Sequence, residues 1–287
     1  MLLLILNCGV YPSNTPSIDI PYSFNQANRI IELPNELVEI SGITLSKDEQ
    51  HFFAVQDEQG IVFKIDRTRG TIISNFRFEK DGDYEDITQT NEHLFVLKSN
   101  RTIYQISAPA TPQQSVKKFS PQHLTSAADT EGLTWDSLNN RLLIACKNAT
   151  NRPEERAIYA FDLNTQQFLA TPIFKIQAKV VYDFLHTHPT LKKWNQLIQL
   201  FDPNAFSFSP SGIAIHPHSK DIFILSAVGN AIVILSESGD IKHVEKLDKS
   251  LYHQPEGICF TKDGTLYIAN EGSESKKGNI IEVLARA

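Results

Sequence analysis

Thr130-Glu131-Gly132-Leu133-Thr134 and Pro255-Glu256-Gly257-Ile258-Cys259 are copies of one short phrase. Three more near-copies stand at Ile40-Ser41-Gly42-Ile43-Thr44, Tyr84-Glu85-Asp86-Ile87-Thr88 and Pro210-Ser211-Gly212-Ile213-Ala214. The Ser or Glu positions 41, 85, 131, 211 and 256 are separated by 44, 46, 80 and 45 residues. A period of this size marks sheets repeated radially, a β-propeller. In that arrangement equivalent residues of the phrase meet around one central channel.

Outward from the first phrase, the chain spells out one blade. Ile40 to Leu45 is an apolar strand, followed by the polar turn Ser46-Lys47-Asp48-Glu49-Gln50. His51 to Val55 is aromatic and β-branched, and Asp57-Glu58-Gln59-Gly60 turns again. Ile61, Phe63 and Ile65 alternate with Val62, Lys64 and Asp66, the pattern of a half-buried strand. Thr71 to Phe78 makes an outer strand. The later repeats follow the same order, but the fifth ends at Leu284 after three strands. The segment Asn28 to Leu33 has no blade of its own and is expected to complete the last sheet, which would remove a raw edge. The 80-residue step leaves about 35 residues beyond one period. Within it Val181, Phe184, Leu185, Trp194, Leu197 and Ile198 recur at spacings of three and four, interrupted by His188-Pro189. The expectation is an all-β, five-bladed β-propeller over 28–287 with a helical insertion near 178–202. The alternative is six blades.

The 287 residues, 41% of them hydrophobic, suffice for one large core. A net charge of −6 and the lack of any basic run argue against nucleic acid as a partner. Cys146 and Cys259 fall in expected strands as small buried residues. Cys8 differs: it follows Leu2-Leu3-Leu4-Ile5-Leu6 and precedes a polar stretch. That start resembles the end of a bacterial lipoprotein signal with Cys8 lipidated, although a basic leader is missing and Asn7 stands where a small residue is usual. Residues 1–8 then read as a truncated signal and 9–27 as a linker. The expectation is an exported, cell-envelope protein held to the membrane only through that lipid. The alternative is a cytoplasmic protein with a short apolar N-terminus. The run is too short to span a bilayer.

The ordered set Glu39-Ile40-Ser41-Gly42-Ile43-Thr44, Asp83-Tyr84-Glu85-Asp86-Ile87, Glu131-Gly132-Leu133, Ser211-Gly212 and Pro255-Glu256-Gly257-Ile258, with the tail Leu266-Tyr267-Ile268-Ala269-Asn270-Glu271-Gly272, resembles the SdiA-regulated family. These are bacterial envelope propellers distantly similar to NHL-repeat propellers. The resemblance covers about Ile30 to Leu284 and implies five blades and a calcium site, with no established activity.

The repeated position itself carries chemistry. Glu85, Glu131 and Glu256 are equivalents, and three carboxylates facing one cavity repel unless something offsets their charge. Calcium, which accepts six to eight oxygens at flexible geometry, suits that role, with Glu271 as a further ligand. Pocket candidates are Ser41, Asp57, Lys147, Ser211, His253 and Asn270. Two other readings stay open: Lys147 neutralises one Glu without metal, or the glutamates accept backbone N–H groups from the next blade. The histidines do not form a transition-metal site: His186 and His188 lie beside a Pro in the insertion, and His216 and His218 sit in a solvated bend; Trp135 and Trp194 read as packing residues. No nucleophile elbow, Walker loop or dinucleotide fingerprint is present. The favoured function is a non-enzymatic, monomeric module binding a small molecule or an envelope protein. The alternative is a calcium-dependent hydrolase or lactonase with Glu85 or His253 as base.

Overall fold

A computed structural model of the chain describes residues 20–121, 129–148 and 152–286. Cys8 and the expected signal lie outside these residues. Five antiparallel sheets follow one another. Strand β1 (Arg29–Glu32) comes first in the chain, and the first complete blade is β2 (Ile40–Leu45), β3 (His51–Gln56), β4 (Ile61–Asp66) and β5 (Ile72–Arg77). The second is β6 (Tyr84–Gln89), β7 (Leu94–Lys98), β8 (Ile103–Ser107) and β9 (Ser115–Phe119). The third is β10 (Thr130–Asp136), β11 (Arg141–Cys146) and β12 (Glu155–Asp162), whose outer edge is covered by two pieces, β13 (Gln167–Phe168) and β14 (Phe174–Gln177). The fourth is β15 (Gly212–Ile215), β16 (Ile222–Ser226), β17 (Ala231–Leu235) and β18 (Ile241–Lys246). The fifth is β19 (Pro255–Phe260), β20 (Leu266–Asn270) and β21 (Asn279–Val283), completed by β1.

The first strand of each blade touches that of the next, and β19 touches β2, so the ring closes. Closure is antiparallel pairing of β1 on β21, with Ile31 opposite Ile280. Arg29 and Glu282 form an ion pair at 2.6 Å across the seam. Upstream, the segment expected as linker folds back from residue 20: Tyr22 and Phe24 are buried, and the Arg286 guanidinium donates to the Ile20 carbonyl at 2.9 Å. Five apolar clusters fill the five blade junctions. For instance, Val55, Val62, Ile87 and Val96 join the first two blades, and Ile43, Ala54, Tyr267 and Ala269 join the first to the fifth.

The long step holds two helices, α1 (Ala178–Thr187) and α2 (Trp194–Leu200), broken at His188-Pro189. Val181, Leu185, Leu197 and Leu200 pack into the cluster between the third and fourth blades. The insertion therefore extends a blade junction and is not a sixth sheet. Cys146 and Cys259 are buried free thiols. His216, expected in a solvated bend, is only 8% exposed: it packs beside Tyr22, Phe223 and Phe260, and its Nδ1 lies 3.0 Å from the Ser219 amide.

Candidate functional site

The repeated phrase acts through a bulge. In four blades the register slips at the Ser or Glu, between Ile40 and Gly42, Tyr84 and Asp86, Thr130 and Gly132, and Pro255 and Ile258. A bulge leaves one residue unpaired and re-aims its side chain. Here it turns that side chain toward one end of the channel. The next phrase position sits where neighbouring strands nearly touch. A Cβ on Gly42 would lie 2.5 Å from the Asp86 Cα and 2.6 Å from its Oδ1, so glycine is what lets the strands approach.

The second blade breaks this rule, since Asp86 stands where the others have glycine. Its side chain reaches past Gly42 on one side and accepts the Leu133 N–H at 2.6 Å on the other, with Oδ1 taking the Ile87 N–H at 2.8 Å. Asp86 is 1% exposed. It forms a waist below the channel mouth, and burial holds its carboxyl well above the usual range.

Above the waist lies a cavity of about 320 Å³. Glu85, Glu131, Glu256, Glu271, Ser41, Asp57 and Lys147 line it, so seven of the side chains singled out from sequence meet there. Ser211, His253 and Asn270 do not line it. Ser211 donates to the Pro255 carbonyl at 2.7 Å, just as Ser41 donates to Tyr84 O at 2.7 Å, so both hydroxyls bridge a blade to the next. Asn270 is fully buried and donates to Asn279 Oδ1 at 2.9 Å. His253 is half-buried, and both its ring nitrogens are covered without a partner among the described residues.

The structure adds Glu39, Asp83 and Gln254, and it brings in Asp129, which sequence placed beside its phrase as a further contributor. Glu39 and Asp83 immediately precede β2 and β6, and Asp129 precedes β10. The cavity thus gathers eight carboxylates and a single ammonium. That charge is unevenly met. On one side the Lys147 Nζ sits 2.8 Å from Glu131 Oε1, beside Glu85, whose pKa rises to about 10 through burial and through Glu131 and Asp83. On the other side Glu39, Asp57 and Glu271 face one another without any basic side chain in the lining. Burial first, then Glu39 and Asp57, raise Glu271 to about 7, and burial, Glu39 and Glu58 raise Asp57 to about 6. Glu256, between the two sides, is held well above its ordinary value by burial and by Glu131 and Glu271. The Glu39 carboxylate beside Glu271 favours its protonated form, and the Gln254 amide donates to Glu271. Asp57 Oδ1 is covered and unpartnered.

This donor set, all hard oxygens with excess negative charge, fits a hard divalent cation. Among the described residues no three His, Cys, Asp or Glu side chains yet converge closely enough to hold one. Binding would have to draw the glutamates together.

A closed ring of five sheets with an acidic pocket at one mouth defines the class: a five-bladed β-propeller with a polar axial site. The chain belongs to the SdiA-regulated family, whose profile matches residues 25–274. No curated protein matches it. Among solved structures it is similar to glutaminyl cyclase of Myxococcus xanthus, with a TM-score of 0.59 and 11% identity over 91% of this chain and 96% of that one. It is also similar to a protein of unknown function from Bacteroides thetaiotaomicron, with a TM-score of 0.51 and 13% identity over 84% of this chain and 58% of that one. Identities this low speak to the fold alone.

Proposed function

We propose that the protein is a calcium-dependent binding module of the cell envelope, with its ion in the acidic mouth. One observation carries this reading: eight carboxylates meet one ammonium in a cavity of about 320 Å³. Lys147 already answers Glu131, so the ion belongs on the opposite side. Glu39, Asp57 and Glu271 would hold it, with Glu256 within reach. A bound ion would replace the protons these groups otherwise keep and would fix the loops that bear them. Those loops form the rim where a small molecule or an envelope protein would be recognised. This reading keeps the lipid at Cys8. The described chain leaves the propeller beside Tyr22, whose hydroxyl donates to Gly264 O in the β19–β20 turn, at the end of the channel away from the glutamates. A tether there would present the acidic mouth outward. The hydrolase alternative has less support, because His253, one of its two candidate bases, lies outside the cavity.

Calorimetric titration of chelated protein with calcium tests the ion. Saturable binding should weaken at least roughly tenfold, the worth of one lost charged ligand, in Glu271→Gln and in Asp57→Asn, and less in Glu131→Gln. Equal losses in all three would move the ion to the centre of the mouth. No heat of binding in the parent would end the calcium reading.

A further inference from the structure

The opposite face of the propeller carries a second cavity of entirely different chemistry. It lies between the second and third blades, has a volume of about 370 Å³, and is bordered by the β6–β7, β10–β11 and β12–β13 turns. Where the channel mouth is acidic, this cleft is lined by amides. Asn91, Gln105, Asn140 and Gln166 face it together with Trp135 and Phe95. Its one carboxylate, Glu92, is 82% exposed and lies 3.7 Å from the Nε2 of His93, the one imidazole in the lining.

Much of this amide capacity is uncommitted. The side chains of Asn91 and Gln105 make no hydrogen bond among the described residues. Asn140 uses its Nδ2 on Asn164 Oδ1 at 2.7 Å, which leaves its own carbonyl oxygen open. Gln166 accepts from Lys117 through Oε1, leaving its amide nitrogen. Trp135 is the stronger sign. It is half-buried and borders this cleft, the lower end of the channel and a third depression beside Pro217. Its indole N–H is covered and has no acceptor, and Gln89 Oε1, at the equivalent position of the neighbouring blade, is likewise unpartnered. A buried polar atom without a partner costs about 1–3 kcal/mol, so an arriving acceptor that draws the indole toward it relieves that cost. No aromatic ring among the described residues stacks on Trp135, although eight other aromatic residues at the blade junctions pair with one another.

A half-buried indole at the edge of the cleft, packed from behind by the cluster around Phe95 and Leu133, beside amides that both donate and accept, is the chemistry that recognises a polyol ring. The C–H face of such a ring lies on the aromatic surface, and amides bridge its vicinal hydroxyls. At ~30 Å³ per water, the cleft has room for about a dozen water-sized units, enough for one hexose of about twelve non-hydrogen atoms. The lining has a carboxylate, Glu92, and no Lys or Arg, which disfavours a uronic acid or a sugar phosphate. We infer that the cleft between the second and third blades is a binding site for a neutral hexose unit, with Trp135 as its platform and Gln105 and Asn91 as its hydroxyl partners.

The test is set up in chelator, so that its outcome is independent of any ion in the acidic mouth. The chain has two tryptophans, and Trp194→Phe leaves Trp135 as the only indole reporter. Glucose, galactose and N-acetylglucosamine are titrated as monosaccharides and as their short oligomers, following indole emission. At least one should give a saturable change at millimolar concentration. Preference for the oligomer identifies a glycan chain as the source, and equal affinity identifies the free sugar. Gln105 is half-exposed on β8, so Gln105→Leu should fold and weaken binding roughly tenfold. Trp135→Phe, followed by calorimetry because the reporter is lost, should weaken it by at least as much. The inference is overturned if none of these sugars binds saturably, if Gln105→Leu leaves affinity unchanged, or if galacturonate binds better than galactose.

Discussion

Asp86 offers the sharpest test of how the blades are held around the axis. Replacing it by glycine restores the residue that the other repeats carry, so a sequence argument alone predicts little harm. The structure predicts otherwise. The Asp86 carboxylate accepts N–H groups from Ile87 at 2.8 Å and from Leu133 in the next blade at 2.6 Å. With the side chain gone, both donors lose their acceptor at a site where Asp86 itself is 1% exposed. Each unsatisfied N–H costs about 1–3 kcal/mol, and glycine in a strand adds about 0.5–1 kcal/mol. Burial raises the Asp86 pKa well above 3.8, so the parent already carries a desolvation cost that the variant escapes. The expected net loss for Asp86→Gly is about 2–5 kcal/mol, a large share of the ~5–15 kcal/mol typical of a folded domain. Asp86→Asn keeps one oxygen for one donor and turns an amide NH₂ toward the other, so it should lose about 1–3 kcal/mol. Urea denaturation in chelator, followed by fluorescence and circular dichroism, gives both values from the midpoint and slope. A glycine variant within about 0.5 kcal/mol of the parent, the range of an inert surface change, would show that Asp86 does not brace the waist.

Three further outcomes follow from the same geometry. Ser211→Ala removes the donor to Pro255 O and the acceptor of the Ala227 N–H, and should cost about 1–2 kcal/mol in the same urea assay. Chelated protein should melt at progressively lower temperature as pH rises. Asp57 is raised from 3.8 to about 6 and Glu271 from 4.5 to about 7, so the folded state keeps protons that the unfolded chain releases; the stability they contribute is complete below about pH 4 and is lost by about pH 7. Saturating calcium should flatten that slope, and a calcium-independent slope would count against the ion. Lys147→Met leaves Glu131 without its partner at 2.8 Å; because Lys147 is 43% exposed, the loss should be about 1–2 kcal/mol rather than the ~3–5 of a fully buried pair, read by differential scanning calorimetry in chelator.

The sequence carried the ring and its closing strand because both rest on periodicity. Five phrases, three of whose four steps are 44–46 residues, can be read without knowing any contact, and a fifth blade short of one strand points to Asn28–Leu33. The helical insertion was legible for the same reason, through Val181, Leu185 and Leu197. The mouth was legible only where it is built by the repeat. Glu85, Glu131 and Glu256 share a position, whereas Glu39, Asp83 and Gln254 lie on approach segments whose course no period fixes, and they enter the cavity through the paths of those segments. One signal was nevertheless present: Glu39, Asp83 and Asp129 each stand two residues before the Ser or Glu of their phrase. Asp86 was visible as the one departure from glycine, but its role was not. Sequence reasoning favoured a metal for the glutamates and kept backbone acceptance as an alternative. The strands approach so closely at the glycine position that only a short side chain fits between two blades there, and Asp86 therefore takes the backbone N–H groups. The longer glutamates, one residue earlier and swung out by the bulge, are left facing each other. Binding capacity at the mouth and rigidity at the waist thus come from adjacent residues of one phrase.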